Sequence, residues 1–167
     1  MALIVRVWRN LFGGWMQLPR HFPATLLDEV SALVAKGEKT HRGEIRVAIE
    51  ARLSPLGVLG GQTVRARAEE VFCRLRVWDT EHNNGVLLYI LLAERRIEIV
   101  VDRGIARYVD EAAWKDICQA MLARFAHQDW RLGLIEGVTS TQRLLAEYFP
   151  AAGSKHRDEL PDDPVIL

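Results

Sequence analysis

Seven consecutive apolar residues, Val86 to Leu92, follow the polar turn Asn83-Asn84-Gly85. A run of that length bounded by turn residues predicts a strand buried on both faces, and it is far too short to cross a bilayer. Ala93-Glu94-Arg95-Arg96 separates it from a second apolar stretch, Ile97 to Val101. So short a connection makes the two strands antiparallel. Upstream, Ile45, Val47 and Ile49 alternate with Arg46, Ala48 and Glu50. That alternation predicts a strand over Gly43 to Ala51 with one better-buried face.

Helical stripes surround these strands. Leu26, Leu27, Val30, Leu33 and Val34 form the first, with Pro23 at its start and Gly37 at its end. Val64, Ala68, Val71, Phe72 and Leu75 form the second. Trp114, Ile117, Cys118, Met121, Leu122 and Phe125 form the third, which Asp110 can cap. Leu134, Ile135, Val138, Leu145 and Phe149 form the fourth. Ser54 to Gly61 holds a proline and three glycines and reads as a loop. The order predicts a three-layer α/β/α sandwich with a mixed central sheet, the first two strands parallel through a right-handed crossover.

Two flanking segments stand apart from this domain at 21–150. In residues 1–20, Trp8, Leu11, Phe12, Trp15 and Met16 recur at helical spacing near Arg6, Arg9 and Arg20. Such a segment either lies on a membrane surface as an amphipathic helix or packs on the domain or a partner chain. Gly13-Gly14 weakens a helix there. The tail, 151–167, is polar, acidic and proline-bearing across Ser154 to Pro164 and reads as disordered.

Composition narrows the function classes. With 167 residues, 49% hydrophobic and 26% charged, the chain suits one globular domain. Lys+Arg and Asp+Glu both total 22, which argues against a dedicated nucleic-acid binder. Cys73 and Cys118 form no CxxC pair and fall on apolar helical positions, so they read as reduced core thiols in a reducing compartment. The arginine-interrupted N-terminus lacks a signal-peptide pattern, and no apolar run suits a transmembrane segment. The expectation is a soluble, cytoplasmic chain. Gly133-x-x-x-Gly137 sits in surroundings too polar for a membrane dimer motif and reads as close packing of the fourth helix on the sheet. Trp78, Trp114 and Trp130 read as core or rim anchors.

Candidate chemistry gathers at the strand ends. Asp79, Glu81, Asn83 and Asn84 fall in one loop, and oxygen donors at that spacing can wrap a hard cation such as Ca²⁺. The EF-hand ladder is absent, and Asp, Asn and Gly are also ordinary turn residues, with Asn84-Gly85 able to supply positive φ. Antiparallel pairing brings Asp102 to the sheet edge that holds Asn84, and parallel pairing brings Glu44 there too. Asp102-Arg103 can instead be a plain ion pair, and Glu44 a surface carboxylate. His82 offers a general acid or phosphate donor, and Arg103 a bidentate anion grip; a loop histidine can also be simply solvated. No P-loop, HExxH, GxSxG or paired-cysteine zinc motif is present, and no organic cofactor is indicated.

Phe72 to Asp79, Asn83-Asn84-Gly85-Val86-Leu87-Leu88, Ile97-Glu98-Ile99, Arg103-Gly104-Ile105 and Trp130-Arg131-Leu132-Gly133 together resemble the TPM-domain family. The resemblance spans Gly43 to Pro150, about two thirds of the chain, and the chain looks like the short, anchor-free bacterial branch. It implies an α/β/α sandwich. Family members include a plant thylakoid-lumen acid phosphatase implicated in photosystem repair, and some members bind calcium. The chain departs from the family at Asn83, where Asp is common, and at Asp102, in a segment where Gly is common. The resemblance implies a binding or adaptor module that works with a protein partner at a membrane in membrane-protein maintenance. Two alternatives stand beside it. One is a metal-assisted phosphomonoesterase, with Asp79, Asp102 and Glu44 holding the ion and Arg103 or His82 steadying phosphate. The other is a peripheral membrane protein docked through residues 1–20.

Overall fold

The computed structural model describes residues 3–14, 17–151 and 159–167. Along the chain these form α1 (Leu3–Phe12), α2 (Leu18–His21), α3 (Ala24–Gly37), β1 (Glu44–Glu50), α4 (Pro55–Leu59) and α5 (Val64–Arg74). There follow β2 (Gly85–Leu91), β3 (Arg96–Val101), α6 (Arg103–Ala106), α7 (Glu111–Ala126), α8 (Trp130–Tyr148) and β4 (Val165–Ile166). The strand order is β3-β2-β1-β4. β1 runs parallel to β2 and β4, and β2 pairs antiparallel with β3. The sheet is mixed, as the connection lengths require.

Both faces of the sheet are covered. Ile45, Val47, Ile49, Val86, Leu88 and Ile90 pack against residues of α3, α7 and α8. Ala48, Leu87, Tyr89, Leu91 and Val100 meet Val58 of α4 and Ala68 and Val71 of α5 on the other side. Every residue of β2 is buried. Period-2 geometry sends alternate side chains to opposite layers, so an unbroken apolar run is what this central position demands.

Five expectations change. β1 is buried on both faces, not one. Its second face is closed by polar partners: Arg46 donates to the carbonyls of Pro161 and, at 2.8 Å, Asp163. The tail, read as disordered, supplies those acceptors and also β4, which pairs Ala48 with Val165 and Ile49 with Ile166. Residues 152–158 lie outside the described residues, as do Trp15 and Met16 of the N-terminal stripe. The Ser54–Gly61 loop contains the short helix α4, capped by Ser54 Oγ accepting from Gly57 N at 3.0 Å. Gly133 and Gly137 pack α8 on α7 rather than on the sheet, since an added Cβ would lie 2.7 Å from Phe125 and 2.3 Å from Met121. Cys73 is exposed, so it is no core thiol, and both cysteines are free.

One buried polar network locks β1 and β2 to α5. Arg67 donates from Nε and Nη2 to the two oxygens of Glu50, both at 2.9 Å, and Tyr89 Oη donates to Glu50 Oε2 at 2.5 Å. Burial, then the Glu50 bond, holds the Tyr89 phenol far above its ordinary pKa, so it stays a donor. Removing the carboxylate leaves Arg67 held only by Glu70, at 2.8 Å, and the buried Tyr89 hydroxyl without its acceptor, whereas removing the phenol leaves Glu50 bidentately bound. Glu50→Ala is expected to cost about 3 kcal/mol and Tyr89→Phe about 1 kcal/mol, read from urea midpoints. Equal costs would contradict this hierarchy.

The cysteines give a second check. Burial, then the charge of Glu98, pushes the Cys118 thiol up to about 11, while Cys73 is open to solvent. Iodoacetamide at mildly alkaline pH should alkylate Cys73 faster than Cys118 by on the order of tenfold or more, as peptide mass spectrometry would report.

Candidate functional site

The rim at which β1 and β2 begin and β3 ends is assembled by register. Glu44 lies opposite Gly85 across the parallel pair, and Val86 lies opposite Val101 across the antiparallel pair. Asn84 and Asp102 therefore flank the same edge, with Glu44 beside them, as connectivity predicts. Three successive carbonyls stitch the turn down. Asn83 O accepts from Gly104 N at 3.0 Å, Asn84 O from Glu44 N at 3.1 Å, and Gly85 O from Asp102 N at 2.9 Å.

Local chemistry explains the turn. Asn83, not Asn84 or Gly85, carries the left-handed backbone, at φ 53°, a conformation asparagine tolerates better than most residues. Gly85 answers a different need: a Cβ there would sit 1.9 Å from Val77 O. Gly104 allows α6 to approach the turn, since its Cβ would fall 2.4 Å from Asn83 O. The side chain of Asn83 accepts from Arg103 Nε at 2.9 Å.

Two of the buried side chains at the rim, Asn84 and Asp102, are only partly satisfied. Asn84 N donates to Thr80 Oγ1 at 3.0 Å, and its side-chain amide donates to Arg42 O. Asp102 Oδ1 caps α6 by accepting from Arg103 N at 2.7 Å. Asn84 Oδ1 and Asp102 Oδ2 are buried and accept no hydrogen bond from the described residues. Leaving a buried acceptor unpaired costs about 1–3 kcal/mol, more for a charged group. Each such oxygen favours an added donor or cation.

The remaining candidates scatter. Asp79, Glu81 and His82 are exposed, and so is Arg103. Glu44 is fully buried and accepts from Leu160 N at 3.3 Å. Among the described residues, no group of three His, Cys, Asp or Glu side chains could hold a metal ion. The tail adds a residue that sequence reasoning missed: Glu159 accepts from Glu81 N at 3.0 Å. Only the acidic composition of that segment hinted at a role.

The TPM domain model matches residues 22–144. The NMR structure of BA42 protein from the psychrophilic bacterium Bizionia argentinensis is similar, with 28% identity and a TM-score of 0.75. That match covers 86% of this chain and 94% of BA42. The N-terminal domain of a P. gingivalis protein, also solved by NMR, shares the fold at 19% identity and a TM-score of 0.62, covering 77% of this chain and 78% of that one. No curated protein matches the chain.

Proposed function

The chain belongs to the TPM-domain family, and we propose that it is a non-catalytic binding module that takes a divalent cation weakly at the rim of β1, β2 and β3. The observation that carries this reading is the two buried oxygens without partners among the described residues, Asn84 Oδ1 and Asp102 Oδ2. A hard cation such as Ca²⁺ seeks oxygen donors, and these residues fit it in kind. Asp102 would supply charge and Asn84 a neutral carbonyl, with Glu44 as a second carboxylate at the same edge. Few charged ligands imply a weak site, in the range of about 10⁻⁴–10⁻³ M. Phosphomonoester hydrolysis is the less favoured reading. Among the described residues at this rim, no nucleophile is hydrogen-bonded to a base, and Arg103 is engaged by Asn83.

Calcium titration followed by backbone NMR tests the site. Amides of Asn84, Gly85, Asp102 and Arg103 should shift at millimolar Ca²⁺, and Asp102→Asn should weaken the response by about tenfold. Unmoved amides at millimolar Ca²⁺ would end the cation reading.

The reading of peripheral attachment also has a specific observation behind it. α1 is held to the domain by its polar side. Arg6 Nε and Asn10 Nδ2 donate to Glu94 Oε1 at 2.8 and 3.0 Å, and Leu53 N donates to Asn10 Oδ1 at 2.8 Å. Asn10 is fully buried while Ile4, Trp8 and Phe12 are 69%, 60% and 73% exposed. The apolar side thus faces outward, continued on neighbouring α4 by exposed Leu56 and Leu59. A bilayer interface would cover such a surface, and it is there that a membrane-embedded partner of a maintenance module would be met. Among the described residues no helix is long and apolar enough to cross a membrane.

Sedimentation with liposomes separates the possibilities. Trp8→Ser with Phe12→Ser is expected to reduce pelleting by on the order of tenfold or more, because each ring contributes about 1.5–3 kcal/mol on burial. Equal pelleting of variant and parent would discard membrane attachment and leave the cation site untouched.

A further inference from the structure

The opposite end of the sheet holds a second concavity, which the rim reading does not use. A cavity of about 310 Å³ opens where β2 ends and β3 begins, at the lower end of the range for small-molecule pockets. Ile90, Leu92, Ile97, Leu122 and Phe125 give it an apolar lining. One wall is aromatic: His21 stacks on Trp130 with ring centres 4.2 Å apart, and Trp130 stacks on Phe125 at 4.6 Å. Burial, then the charge of Arg20, lowers the His21 pKa, so this wall offers a flat, largely neutral face.

The polar part of the lining has one sign. Arg95 and Arg96 line the cavity, and no Asp or Glu does among the described residues. Arg95 makes no ion pair among the described residues, and the carboxylate that Arg96 meets, Glu98, is 3.5 Å away. The backbone gives a separate signal. Of four non-glycine residues with positive φ among the described residues, two line this cavity: Arg95 at 51° and Gln128 at 65°. Glycine or asparagine would take that conformation with less strain. Strain of this kind concentrates where a side chain is needed at a fixed place.

We propose that this cleft binds a small amphipathic carboxylate, its flat apolar body against Trp130 and Phe125 and its single carboxylate held by Arg95 and Arg96. Aromatic stacking and apolar burial supply affinity, and the two arginines select an anion over a neutral isostere. The site is independent of the cation rim. β2 separates the two ends by seven residues, roughly 20 Å at strand rise.

The probes are 2-naphthoate and its neutral counterpart 2-naphthylmethanol, titrated into the full chain and followed by NMR at the Trp130 indole and the amides of Arg95, Ile97 and Leu122. Naphthoate should give saturable shifts there, and the alcohol should bind about tenfold more weakly. The double variant Arg95→Gly, Arg96→Gln removes both charges while glycine accepts the turn's backbone. It should lose about tenfold or more in naphthoate affinity and change its affinity for the alcohol by less than about twofold. Its Ca²⁺ response at Asn84 and Asp102 should match the parent's, so that failure here and failure at the rim are told apart. Absent shifts at millimolar naphthoate, equal affinity for the two probes, or unchanged naphthoate binding by the variant would each overturn the assignment.

Discussion

The structure depends on one constraint: β2 is buried on both faces along its whole length. A strand in that position satisfies its backbone only through neighbours on each side, and it tolerates polar side chains only where a partner reaches them. β1 and β3 supply the backbone partners. Tyr89 is the strand's single polar side chain, and it is met by Glu50 and Arg67. Everything else polar is driven to the two ends of the strand, and both candidate binding sites are found there.

The rim shows how such an end becomes specific. A turn into a buried strand has carbonyls that need donors, and here β1, α6 and the residue after β3 each contribute one N–H. That stitching fixes the turn and leaves the side chains of Asn84 and Asp102 with little freedom to find further partners. Their two unpaired oxygens follow from that rigidity. An unpaired carboxylate oxygen at a position this buried is costly, which is the physical basis of the proposed cation site.

Much of this was legible in order and period. The apolar run of β2, the short β2–β3 connection and the four helical stripes lead to the mixed sheet and its two helical layers. That Glu44, Asn84 and Asp102 lie at one edge of the sheet follows from strand direction alone. What escaped depended on long-range partners. The second face of β1 carries Arg46 and Glu50, which read as solvent-facing until the tail carbonyls and Arg67 are in place. β4 has only two residues and pairs with β1 from a segment whose composition resembles disorder. The cleft escaped because its walls come from α2, β2, β3, α7 and α8, and no local motif joins them.

The β2–β3 hairpin ties the outward-facing helix to the cleft. Glu94 in its turn accepts from both Arg6 and Asn10 of α1, while the next residue, Arg95, lines the cavity. Polar anchoring of α1 leaves the helix no way to turn its apolar side inward without stranding Glu94 and the Leu53 amide. The exposure of Trp8 and Phe12 is therefore built into the same turn that positions Arg95. The proposed lipid-facing surface and the proposed cleft are thus tied to two neighbouring residues of one turn, Glu94 and Arg95. If both proposals hold, an acid partitioned at a bilayer interface would reach the cleft at higher local concentration than one in bulk water, and the inverted helix and the cleft would serve one ligand.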